Sequence, residues 1–154
     1  MSLSLKSLFV DTITAPRDAA HQIISLGITR QTSILCVIFT ICITVILFFL
    51  DLNSSQSSII LPLLMHHPLV LASVMIFGTL WSAFVIGFFG RILGGNENID
   101  SILVLLAWGQ AIQVFFQVIA TLIAFLSLQL AALFQLGIFF IYIWIFISFI
   151  DVAL

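Results

Sequence analysis

The feature that most constrains this chain is where its charges do not fall. Four stretches, Gln31 to Leu50, Leu69 to Gly90, Ser101 to Leu126 and Leu130 to Ile150, contain no Asp, Glu, Lys or Arg, and each is 20 residues or longer. A helix needs about 20 predominantly apolar residues to cross a hydrocarbon core of about 30 Å. All ten charged residues of the 154 lie outside these stretches. A soluble domain would carry roughly 25% charged residues, whereas here they are 6%, against 63% hydrophobic. The pattern predicts an all-α integral membrane protein with four transmembrane helices. Strands of a membrane barrel would alternate polar and apolar positions, and a run such as Ile138-Phe139-Phe140-Ile141-Tyr142-Ile143 does not.

The basic residues set an expected orientation. Lys6, Arg17 and Arg30 precede the first span and Arg91 closes the second, while the connections 51–68 and 127–129 carry none. By the positive-inside rule these four act as cytoplasmic anchors. With an even number of crossings, the expected topology is multi-pass in a cell inner membrane, with both termini cytoplasmic. Four basic residues are too few for a nucleic-acid footprint. The partners expected are membrane lipids and other membrane proteins, or further copies of the chain.

Residues 1–30 lack the continuous apolar core of a cleavable signal peptide and read as a cytoplasmic interfacial segment, distinct from the helical domain over 31–154. Leu5, Leu8, Phe9 and Ile13 recur at helical spacing. Pro16 suits the first turn of a second helix, Ala19, Ala20, Ile23 and Ile24 share one face, and Gly27 makes a stop. Two short amphipathic helices lying on the membrane surface are expected; the alternative is a membrane-free tail that docks a partner.

Between the first two spans, the polar run 53–58 leads into a short apolar piece, Ile59 to Met65, expected at the outer interface. His66 and His67 follow, with no third ligand nearby in sequence, so no metal is expected. Cys36 and Cys42 share the first span, about 9 Å apart along its axis and about 120° around it, and cannot bond to each other. Gly94-Gly95 ends the second helix and Asp100 or Ser101 can cap the third. This turn has neither a P-loop nor a dinucleotide fingerprint, and no cofactor is implied. The titratable groups are scattered over loops, with no nucleophile–base, paired-carboxylate or metal pattern, so no enzyme is expected.

Within the spans the informative residues are polar or small. Gln110, Gln113 and Gln117 fall within about 60° of one another on the third helix. An amide in hydrocarbon needs a partner, so this stripe either glues helices together or lines a polar path, and it is also suited to contact with another membrane protein. Thr79, Ala83 and Gly87 follow one another at i+4 on the second span, a small-residue face for close helix packing, within the chain or between chains. Trp81, Trp108 and Trp144 lie too deep in their spans to be interface anchors and are expected in the core or against lipid.

Two segments carry a resemblance. Arg91-Ile92-Leu93-Gly94-Gly95, a short acidic turn, and then Ser101-Ile102-Leu103-Val104-Leu105-Leu106-Ala107-Trp108-Gly109-Gln110 resemble the central region of bacterial members of the Yip1 family. Val10-Asp11-Thr12-Ile13-Thr14-Ala15-Pro16-Arg17-Asp18-Ala19-Ala20 is similar to the N-terminal approach of alphaproteobacterial members. The resemblance implies a compact helical membrane domain, without enzymatic activity, that associates with other membrane proteins. The family usually has five spans, which leaves a fifth helix to sequence outside these residues or to a partner. The long acidic N-terminal region of the eukaryotic proteins is absent, so small-GTPase binding is not carried over. The sequence therefore points to a membrane scaffold or accessory subunit, with a small transporter or channel component using the Gln110/Gln113/Gln117 stripe as the alternative.

Overall fold

The computed structural model describes residues 5–54, 67–92 and 99–153. The expected outer apolar piece, His66 and the Gly94-Gly95 turn lie outside them. Two short helices, α1 (Leu5–Thr14) and α2 (Pro16–Ser25), precede four long ones: α3 (Arg30–Ser54), α4 (Pro68–Ile92), α5 (Ile99–Ala124) and α6 (Leu128–Ala153). All four long helices have the length and hydropathy to cross a bilayer. The expected spans are reproduced within a few residues at each end. Among the described residues there is no strand.

Local chemistry sets the helix ends. Pro16 occupies the first turn of α2, where its missing N–H costs nothing. Gly27, at φ 60°, takes the left-handed conformation after α2 and gives its N–H to the Ile24 carbonyl. Thr29 caps α3, its Oγ1 accepting from the Thr32 amide at 3.4 Å. Ser127 caps α6 in the same way, accepting from the Leu130 amide. The connection expected over 127–129 is made by residues 125–127, and it folds α5 and α6 into an antiparallel hairpin.

Helix α5 is the centre of the bundle and packs against α3, α4, α6 and α2. Its partners fix the register. Thr40 of α3 and Thr79 of α4 both meet Gln110, Ala83 clusters with Ile102 and Leu103, and Leu105 clusters with Ile145 and Phe149 of α6. Hence α3 runs parallel to α5, with α4 and α6 antiparallel. Arg30 and Arg91 thereby lie at one end of the bundle, together with Asp151, which holds Arg17 in a 2.8 Å ion pair. Away from α5 the large apolar residues point outward, among them Phe39, Phe77, Phe84, Leu133 and Phe140. An exposed apolar surface of that extent suits lipid.

The two short N-terminal helices form as expected. The expected amphipathic face of α2 is present, with Ala19, Ala20 and Ile23 buried, but it packs on protein: Ile23 and Leu8 of α1 join Val104, Leu105, Ile145 and Phe149 in one cluster. Thr12 is fully buried. It donates to the Leu8 carbonyl at 2.7 Å and accepts from the Trp108 indole N–H at 3.0 Å. One turn back, Phe9 meets Phe115 edge-on with ring centroids 4.8 Å apart. Passing from Thr12 to Phe9 thus moves from Trp108 to Phe115, so α1 points its N-terminus along α5 toward the middle of the bundle. The physical reason is that a face of Leu8, Phe9 and Thr12 finds a matching apolar wall and an indole donor on α5.

Candidate functional site

The expected glutamine stripe divides into two environments. Gln110 is consumed inside the bundle. Its Nε2 donates to Thr79 Oγ1 at 2.7 Å, and Thr79 passes its own proton to the Met75 carbonyl. Its Oε1 lies 3.1 Å from Thr40 Oγ1. That hydroxyl is also 2.9 Å from the Cys36 and Val37 carbonyls, and its single proton serves one of the three at a time. One amide therefore joins three helices, α3, α5 and α4, at mid-height. Each interhelical hydrogen bond of this kind contributes on the order of 0.6 kcal/mol, up to about 2.

Gln113 and Gln117 face elsewhere. With Gln135 of α6, Thr44 of α3 and Tyr142, they line a groove of about 320 Å³ in the half of the bundle remote from the arginines. Along its length α4 changes neighbours, and it lends no residue to this groove. Near Arg91 it packs on α5 through Ala83 and Ile86, and nearer Pro68 it packs on α3 through Leu71, Ala72, Met75 and Ile76. Gln113 and Gln135 are exposed and Gln117 is half-buried. None of the three amides has a side-chain hydrogen bond within the described residues.

The small-residue face is used inside the chain. Ala83, Gly87 and Gly90 are buried, and Thr79 is the acceptor for Gln110. Of the three tryptophans, Trp108 is half-buried at α1 while Trp81 and Trp144 are exposed toward lipid. Cys36 and Cys42 are free. Among the described residues no group of three or more His, Cys, Asp or Glu is placed to hold a metal.

Four contributors to these sites were not singled out from the sequence. Gln135 was legible as an isolated amide in the last apolar run. Thr12 falls on the same face as Leu8 and Phe9, one turn from each neighbour. Thr40 and Thr44 carry no signal of their own, because a threonine in a membrane helix bonds its own backbone by default, as both do here. No family model, no curated protein and no solved structure matches the chain.

Proposed function

We propose that the protein is a non-enzymatic membrane scaffold or accessory subunit, resembling the Yip1 family, that associates with other membrane proteins through helix–helix contacts. The observation that carries this reading is the contrast between Gln110, whose amide is matched by Thr40 and Thr79, and Gln113, Gln117 and Gln135, which share a groove without partners among the described side chains. In hydrocarbon such amides require donors and acceptors, and a polar side chain on another membrane helix supplies both. In the same reading the end bearing Arg17, Arg30 and Arg91 faces the cytoplasm of an inner membrane, as the positive-inside rule directs.

The test is native purification in mild detergent, with identification of the co-purifying membrane protein, for wild type and for Gln113→Leu combined with Gln135→Leu. The partner is expected with the wild type and lost from the variant, with the chain itself still folded. A partner retained by the variant sinks the assignment of the groove.

A second reading, a transporter or channel component, is favoured by the volume of the groove, which accommodates a small uncharged solute. Its described lining contains no Asp, Glu, Lys or Arg, unlike most ion pathways. Solute flux in liposomes that is abolished by Gln113→Leu while assembly persists would replace the scaffold reading with this one.

A further inference from the structure

A second polar groove, of about 530 Å³, opens where the α1–α2 turn meets the last turns of α6. Its charged members are Arg17, Asp18 and Asp151. Arg17 and Asp151 pair at 2.8 Å, yet both side chains remain more than half exposed, so each keeps hydrogen-bonding capacity for a further group. Asp18 is exposed and forms no salt bridge among the described residues. The groove thus holds one guanidinium and two carboxylates. Seven residues before Asp151, about 10 Å along the helix, Trp144 lines the same groove and is 61% exposed. Ile147, also exposed, lies between them.

This vertical order matches one class of molecule. A purely anionic group would meet an excess of carboxylate, and a simple amine would leave Arg17 unused. A phosphate beside an ammonium satisfies both, because guanidinium grips phosphate oxygens and a primary ammonium offers three donors to carboxylates. Ends of spanning helices lie at headgroup level, and an indole about 10 Å deeper sits at the border of ester and acyl chain.

We propose that this groove binds the headgroup of a zwitterionic phospholipid bearing a primary ammonium, with phosphate on Arg17, ammonium between Asp18 and Asp151, and the upper acyl chain along Ile147 and Trp144. Such a lipid would bridge the start of α2 and the last turns of α6 beside the Arg17–Asp151 ion pair. The proposal is independent of what fills the glutamine groove.

The test is native mass spectrometry of the full chain in detergent, titrated with phosphatidylethanolamine, phosphatidylcholine and phosphatidylglycerol of matched acyl chains. Phosphatidylethanolamine is expected to be retained at roughly fivefold lower concentration than phosphatidylglycerol, the order of one exposed ion pair. Asp18→Asn should remove that preference, and Asp18→Glu, which keeps the carboxylate, should preserve it. Arg91→Gln, at the same end of the bundle but outside the groove, should leave it unchanged. Equal retention of the three lipids, a preference that survives Asp18→Asn, or one that disappears equally with Arg91→Gln would overturn the assignment.

Discussion

The two halves of α5 are built from similar residues and meet different fates. From Ile102 to Ile112 the helix is largely buried under α1, α2, α3, α4 and α6. From Gln113 onward α1 still touches it through Phe9, on Phe115 and Phe116, but a groove lined by α3, α5 and α6 opens along it. The sealed half satisfies its polar atoms internally, at Gln110 and Trp108. The open half leaves its amides without side-chain hydrogen bonds among the described residues. The same side-chain chemistry is therefore adhesive within the chain at one height and exposed in a groove three residues later. Exposure set by neighbouring helices, more than residue type, separates the internally bonded Gln110 from the exposed Gln113.

The contrast can be broken most forcefully in the sealed half. Ile23 is 1% exposed and central to the cluster that fastens α2 to α5 and α6. Ile23→Ala should leave a cavity costing about 2–4 kcal/mol, seen as a lowered thermal midpoint and as new proteolysis between α1 and α3. A change confined to the open half would show that the N-terminal helices are not fastened there.

Gln110→Leu removes both interhelical bonds of the clamp, but Thr40 and Thr79 still bond their own backbones. A loss of about 1–2 kcal/mol is expected, measured by thermal unfolding in detergent. Trp108→Phe keeps the packing and deletes only the donor to Thr12. Because Thr12 retains the Leu8 carbonyl, the loss should be about 1 kcal/mol, detected as faster hydrogen exchange in α1.

Smallest of all should be the effect of Gln117→Leu on stability, within about 0.5 kcal/mol in detergent, since its amide has no internal partner to lose. The same substitution should weaken capture of a membrane partner. If it destabilises the isolated chain as much as Gln110→Leu does, the division between the two environments fails.

The helices were legible in the sequence because spanning a bilayer imposes a length and excludes charge, and both conditions act residue by residue. Pro16 and Gly27 fixed the limits of α2 for equally local reasons. The face of Ala19, Ala20 and Ile23 was legible too, yet its destination was not. A hydrophobic stripe fits a lipid interface and a protein groove alike, and only the complementary wall of Val104, Leu105, Ile145 and Phe149 distinguishes them.

By itself the sequence determined the four crossings, their boundaries and the stripe of amides, since backbone hydrogen bonding in hydrocarbon and helical periodicity depend on neighbours along the chain. Only the tertiary structure decided which amides are used up. That depends on Thr40 and Thr79, 70 and 31 residues away in sequence, and on the packing that leaves Gln113, Gln117 and Gln135 lining a groove between α3, α5 and α6.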